Sequence, residues 1–142
     1  MKACKSNYCK CLFYSANALA RAMTKMAEQE FATTGLTPSY AFVLMTVNCK
    51  PGIQPLELSR HMQLTPSTVT RLVEKLEFNG FLERSIRGRT TEIFPTRKSK
   101  EANDLIIKSW NNLYCRYSRL IGEKKVNILT QMINDALNNI LK

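Results

Sequence analysis

The chain has 142 residues, of which 44% are hydrophobic and 23% are charged, and it contains only five Gly and five Pro. These proportions exclude a disordered, collagen-like or low-complexity chain, and the length is typical of one domain with a sizeable core. The formal net charge of +10 is the first indication of function, because such an excess of basic residues is typical of proteins that bind polyanions.

The N-terminal part of the chain predicts one long helix. Lys2, Lys5 and Lys10 precede an apolar run that resembles a signal peptide, but polar residues interrupt this run. Apolar residues at helical spacing continue beyond it and predict a helix over about residues 8–32. No apolar run approaches the roughly 20 residues that a membrane-spanning helix requires, so we expect no membrane partner.

The middle of the chain, residues 36–98, predicts a winged helix-turn-helix. Its helices are expected at Pro38–Cys49, Pro55–Met62 and Ser67–Asn79, and the last has one apolar stripe and a polar outer face. Two short helices separated by about three residues are typical of a helix-turn-helix. The apolar spacing then alternates around Arg87-Gly88-Arg89, which predicts a β-hairpin in the position of a wing.

Two further helices, Ser99–Ile121 and Glu123–Leu141, are predicted at the C-terminus. The apolar stripes of the helices at both ends are too long to be buried against so small a winged helix. We therefore expect the ends, about 8–32 and 99–141, to dimerise with a second copy. The expected fold is mainly α with a small β-hairpin wing, a single domain over residues 1–142.

Basic residues are concentrated in Arg84–Lys100, where six cations face the single acid Glu92. This cluster and the polar face of the predicted recognition helix indicate contacts with double-stranded DNA, since Arg can bind guanine edges and narrow minor grooves. Lys75 and Arg84 fit phosphate contacts or plain surface equally well. The candidate DNA-binding residues are Thr65, Ser67, Thr68, Thr70, Arg71, Lys75, Arg84, Arg87 and Arg89.

Residues 55–84 read PLELSRHMQLTPSTVTRLVEKLEFNGFLER. This stretch, after Leu36-Thr37-Pro38 at the start of a buried helix, resembles the multiple antibiotic resistance regulator (MarR) family. The resemblance implies a homodimeric winged-helix transcription regulator, usually a repressor, on a near-palindromic operator. Small phenolic ligands or thiol oxidation would release it.

Two positions depart from the pattern of that family. Arg87 stands where the family usually has an Asp that orients the minor-groove Arg, here Arg89. We therefore expect Arg87 to act as a second cation in the wing. The segment after the wing has Pro95-Thr96 and then Ser99, where the family usually has Leu-Thr and a Gly.

The cysteines allow two interpretations. Their odd number favours reduced thiols in a cytoplasm over a disulfide framework. Cys4, Cys9 and Cys11 lie near the start of the first helix, a position typical of reactive thiols, and Cys11-Leu12-Phe13-Tyr14 is similar to the peroxide-sensing branch of the family. Cys9 and Cys11 are thus possible redox thiols, with inert thiols as the alternative. Cys49 and Cys115 are expected to be buried.

Five aromatic residues could line a ligand pocket between the dimerisation helices and the winged helix, although their helical spacing equally fits a core. They are Tyr8, Tyr40, Trp110, Tyr114 and Tyr117. The only histidine, His61, is expected on the surface. The cysteine spacing lacks a fourth ligand for zinc, so we expect neither a metal site nor a cofactor.

The sequence carries no motif of an enzyme. It has no phosphate-binding loop, no nucleophile elbow and no Cys-x-x-Cys pair, and one histidine does not suffice for most acid–base schemes. The remaining alternative to a DNA-binding regulator is a winged helix that docks proteins without binding DNA. The basic wing favours the regulator.

Overall fold

Helices dominate residues 5–142, the part of the chain that the computed structural model describes. A 3-10 turn at Ala32–Thr34 follows the first helix, and Gly35 closes it in the left-handed region at φ 72°. The elements in chain order are α1 Leu12–Phe31, α2 Pro38–Cys49, α3 Pro55–Met62, α4 Pro66–Phe78, β1 Leu82–Arg87, β2 Thr90–Pro95, α5 Arg97–Ile121 and α6 Glu123–Ile140.

The predicted element types are confirmed, and only some of the ends differ. α1 begins at Leu12 rather than near residue 8, because Cys11 is extended (φ −87°, ψ 117°) and the residues before it form turns. α4 begins at Pro66, since the Thr65 hydroxyl accepts a hydrogen bond from the backbone N–H of Thr68 at 3.4 Å and so caps the helix. The fold class, helical with a two-stranded wing, is as predicted.

The core lies where α2, α3 and α4 pack against the base of the hairpin and the first half of α5. α2 is apolar on several faces and supplies Val43, Leu44 and Val47, all fully buried. This explains why α2 has no clear polar stripe. The largest fully buried side chains are those of Phe31, Leu44, Ile53, Leu58, Leu76, Leu82, Ile93 and Ile106.

The hairpin is fixed to the helices at its base and projects at its tip. The strands are antiparallel, with Leu82 opposite Pro95 at the base and Arg87 opposite Thr90 at the tip. Ile53, in the loop before α3, pairs with Ile93 as an isolated bridge. The base is buried through Leu82 and Ile93, whereas the tip residues Arg87 to Arg89 are exposed.

Polar contacts fix the long helices to the rest of the chain. The Asn48 Nδ2 of α2 donates to the Ser99 Oγ at 3.0 Å and to the Asn103 Oδ1 at 3.3 Å on α5. Arg116 of α5 forms an ion pair with Glu30 of α1 at 3.2 Å. α6 packs against α5, and Val126 is its one buried residue. Across the described part of the chain, every helix is too short or too polar to cross a membrane.

Candidate nucleic-acid interface

The N-terminal end of α4 presents a group of hydroxyls to solvent. The Thr65 Oγ1 lies 3.3 Å from the Ser67 Oγ and 2.9 Å from the Thr68 Oγ1, and the Thr70 hydroxyl donates to the Pro66 carbonyl oxygen at 2.9 Å. These contacts organise the first turn of the helix. Four of the predicted DNA-binding residues are therefore brought together at one helix end.

Arg71 and Lys75 extend this surface along α4, and both side chains are exposed. The opposite face of the helix holds it in place, because Val69, Val73 and Leu76 are buried in the core. The helix thus has one face committed to the fold and one face of hydroxyls and cations. Such a face can contact base edges and phosphates.

The tip of the hairpin, which we call the wing, supplies two further arginines. The Arg87 Nε lies 3.7 Å from the Glu92 Oε2 on the opposite strand, although Arg87 is 76% exposed. Arg89 is exposed at the turn, and among the described residues it makes no ion pair within 4 Å. The acid of the wing therefore pairs with Arg87, while Arg89 is left available to a ligand.

Arg84 has a different position from the other candidate residues, at the base of the wing. Its guanidinium donates to Glu77 of α4 from Nε at 3.1 Å and from Nη2 at 2.8 Å. Hydrogen bonding from Arg84 lowers the pKa of the Glu77 carboxyl, and the same contact raises the pKa of Arg84. Arg84 therefore connects the wing to α4, and its contact with DNA stays a prediction.

The basic cluster also has intramolecular partners after the wing. Arg97 pairs with Glu101 at 2.8 Å, and the Lys98 Nζ donates to the Asn79 carbonyl oxygen at 2.8 Å. The sequence did not indicate these partners, because Glu77, Asn79 and Glu101 lie outside Arg84–Lys100 and meet its cations only after folding. The free positive charge is therefore smaller than the composition of Arg84–Lys100 suggests.

The cysteines differ from the predictions. Cys9 is disulfide-bonded, so the expectation of five reduced thiols is wrong for this residue, and Cys4 lies outside the described residues. Cys11 is free and exposed just before α1. Cys49 and Cys115 are free but exposed rather than buried, because both lie on helix faces that the core does not cover.

The five aromatic candidates do not gather in one place in the described part of the chain, although Tyr114 and Tyr117 are in contact. Tyr8 contacts Tyr14 at 5.7 Å between ring centroids, and Tyr114 contacts Tyr117 edge to face at 5.5 Å. Burial, and then the charge of Tyr114, raises the pKa of Tyr117. Tyr40 borders a different cleft, between Gly35 and α4. A pocket that all five share stays a prediction.

A cleft of about 360 Å³ beside α2 includes one of these aromatics and several residues that the sequence did not indicate. Trp110, which is 45% exposed, lines it together with Phe42, Met45, Thr46, Cys49, Lys50 and His61. His61 is exposed, as expected, and lies 4.0 Å from Glu57. The described residues include no group of three or more side chains that could hold a metal ion.

These elements define a winged-helix protein. The chain resembles a MarR protein from Peptoclostridium difficile, with a TM-score of 0.78 and 22% identity over 99% of this chain and 91% of that one. It also resembles the repressor CouR bound to a 23-mer DNA duplex (TM-score 0.82, 18% identity, 90% and 93% coverage). The MepR–DNA complex of S. aureus is similar as well (TM-score 0.80, 15% identity, 91% and 97% coverage).

Sequence comparison supports the resemblance to the MarR family in the middle of the chain. The model of the MarR family matches residues 36–87. An uncharacterized HTH-type transcriptional regulator of Bacillus subtilis (strain 168), YybA, is 28% identical over 91 residues, which are 62% of this chain and 61% of the length of that relative. The resemblance to the MarR family therefore extends over the winged helix-turn-helix, and the solved structures share the fold of nearly the whole chain.

Proposed function

We propose that this chain is a member of the MarR family and regulates transcription, as a repressor, by binding a near-palindromic site in double-stranded DNA as a homodimer. The observation that carries the proposal is the exposed polar face of α4, with Arg71 at its centre, next to a wing whose Arg89 has no acidic partner among the described residues. This combination fits a major groove and the adjacent minor groove. The proposed role in transcription implies that the protein acts in the cytoplasm.

The helices at the two ends support the homodimer. α6 buries only Val126, and it leaves a row of large apolar side chains in contact with solvent. Exposed apolar patches of this extent mark association surfaces. The side chains on α1, α5 and α6 that support this proposal are Leu12, Phe13, Leu120, Ile128, Met132, Ile133 and Ile140, which are 49–78% exposed.

Two structural relatives agree with this proposal. The structure of MepR is a complex with DNA, and CouR is a transcriptional repressor bound to a DNA duplex. Release from DNA by a small ligand or by thiol oxidation is part of the proposal, and two features support it. The cleft beside Trp110 is open to small aromatic molecules, and Cys11 is a free, exposed thiol.

Selection from a pool of random-sequence duplexes tests the proposal. We expect the purified full-length chain to enrich an inverted repeat whose half-sites lie one helical turn, about 34 Å, apart. Affinity for the selected duplex and for a scrambled duplex is then measured at about 50 and 200 mM salt. A winged helix that only docks proteins would enrich no sequence and would show no salt dependence.

Two matched variants on α4 distinguish contacts of this helix with base edges from contacts with phosphates. Arg71→Ala should weaken binding to the selected duplex by about 1–3 kcal/mol and relax the preference at particular base pairs, because this side chain is expected to contact base edges. Lys75→Ala should weaken binding to both duplexes equally, as a phosphate contact does. Equal losses on both duplexes for Arg71→Ala would show that it contacts phosphate instead.

A further inference from the structure

The C-terminal end of α4 is connected to the beginning of α5 through Thr96. The Thr96 hydroxyl donates to the Gly80 carbonyl oxygen, just after α4, at 2.6 Å. The same hydroxyl accepts from the Ser99 backbone N–H at 3.4 Å and caps α5. The Thr96 backbone N–H donates to the Phe81 carbonyl oxygen at 3.0 Å. One residue therefore joins the segment that directly follows α4 to the first turn of α5.

Lys98 strengthens the same junction. Its Nζ donates to the Asn79 carbonyl oxygen at 2.8 Å and lies 4.4 Å from the centroid of the Phe81 ring. A cation is favourable at the C-terminal end of a helix, where carbonyl groups are unpaired, and it also attracts an aromatic face. The exposed Lys98 ammonium is thus held by an intramolecular contact at the end of α4.

This junction is far from the end of α4 that carries the hydroxyls. From Thr68 to Asn79 the helix extends about 16 Å at 1.5 Å per residue. A tilt of about 4° at the junction would displace the other end by about 1 Å over that length. A shift of this size is large compared with the tolerance of a hydrogen bond to a base edge.

α5 is well placed to transmit a movement to this junction. Its first turn is attached to α2 through Asn48 and Ser99, and its second half packs against α1 and α6. α1, α5 and α6 also carry the exposed apolar side chains that support dimerisation. A change in how these helices pack would therefore reach α4 through the contacts of Thr96.

We propose that Thr96 is a positioning residue that couples the orientation of α4 to that of α5, and that Lys98 supports it without contacting DNA. This inference rests on the proposed DNA-binding function. In this proposal the two residues determine how accurately α4 meets the bases, and they do not contribute to the electrostatic attraction of DNA.

Three substitutions at Thr96 distinguish its hydrogen bond to Gly80, which couples α4 to α5, from its hydrogen bond to Ser99, which caps α5. Thr96→Ser keeps both the donor and the acceptor. Thr96→Asp keeps an acceptor that caps α5 but has no proton to donate to Gly80, and Thr96→Val removes both. Each full-length variant is compared with wild type on the duplex selected by the wild-type chain and on its scrambled counterpart, across a range of salt concentrations.

We expect the ratio of the two affinities to fall by about three- to tenfold for Thr96→Asp and Thr96→Val, as for the loss of one hydrogen bond. The salt dependence should not change, because no phosphate contact is removed. Thr96→Ser should retain the wild-type ratio. Helicity by circular dichroism should be normal for Thr96→Asp, which keeps the cap.

Lys98→Met provides a second test, since it keeps the aliphatic contact with Phe81 and removes the charge. We expect a lower affinity ratio with an unchanged salt slope. A salt slope reduced by about one would show that Lys98 contacts phosphate and would overturn its assignment. A Thr96→Asp protein with the wild-type ratio would overturn the coupling alone. A wild-type chain that selects no sequence would instead overturn the proposed function and this inference together.

Discussion

The winged helix and the helices at the two ends of the chain differ in how far they bury their large apolar side chains. Between Phe31 and Ile106, every α-helix and β-strand contributes at least one large apolar side chain that is fully buried, although Phe78 and Ile86 are 86% and 76% exposed. In α6 only Val126 is buried, whereas Met132 is 63% exposed and Ile140 is 75% exposed. The middle of the chain forms a buried core from each of its elements, whereas α6 leaves most of its large apolar side chains exposed.

This difference indicates where partners act on the molecule. The self-sufficient middle can present polar side chains outward, since its core needs no further cover. We expect association to lower the free energy of the apolar ends, because each Å² of apolar surface removed from water contributes about 25 cal/mol. We therefore expect substitutions at the ends to have the largest effect, on dimer dissociation. Substitutions in the middle should have smaller effects, on DNA affinity and on the free energy of unfolding.

Met132→Glu should abolish the proposed dimer. An unpaired charge in an apolar interface costs several kcal/mol, so we expect dimer dissociation to be promoted by at least about 100-fold. Gln131→Glu is the matched control, since it adds the same charge at the neighbouring exposed position. Sedimentation at micromolar concentration distinguishes the two. A stable wild-type monomer, or equal behaviour of the two variants, would contradict the proposed role of α6.

Much of the fold could be predicted from the sequence because its signals are local. Pro38–Cys49 and Pro55–Met62 have the predicted bounds, since Pro at the first position marks the start of each helix. The start of α1 was predicted too early, because apolar spacing alone does not show that Cys11 is extended. The wing was predicted from the change to alternating apolar spacing around Gly88, and the two strands confirm it.

The candidate site was less predictable because its electrostatics depend on tertiary pairs. The sequence showed a cluster of cations in Arg84–Lys100, but Glu77 and Asn79 meet that cluster only after folding. Exposure was also misjudged for Cys49 and Cys115, since a small apolar residue on a helix gives no indication of which neighbours cover it. Burial is a property of packing, and composition does not encode it.

The two arginines of the wing should contribute unequally to DNA binding. Arg89→Ala should weaken binding to selected and scrambled duplexes alike, by about tenfold, and reduce the salt slope by about one. Arg87→Ala should have a smaller effect, because Glu92 already neutralises part of its charge. Glu92→Gln is the informative control, since it frees Arg87 and should raise affinity. Equal losses for the two arginines would show that Glu92 does not restrain Arg87 in solution.

The smallest effect, on the free energy of unfolding, is expected when the ion pair between Arg84 of the wing and Glu77 of α4 is removed. Hydrogen bonding by Arg84 holds the pKa of Glu77 below its ordinary value, so the unfolded chain binds more protons there than the folded chain. The pair therefore stabilises the fold above the ordinary pKa of glutamate, and this contribution is lost as the pH falls through the lowered pKa. Both side chains are about one-third exposed, so solvent screening limits the contribution to about 0.5–1 kcal/mol.

Glu77→Gln should accordingly lower the free energy of unfolding at neutral pH by that amount, and the difference from wild type should shrink in acid. Urea denaturation at fixed protein concentration measures it, since the stability of a dimer depends on concentration. Glu83→Gln is the control, because Glu83 is exposed and forms no ion pair within the described residues. A difference between Glu77→Gln and wild type that persists unchanged in acid would show that the loss does not come from the charge of Glu77, and would contradict the role given to this ion pair.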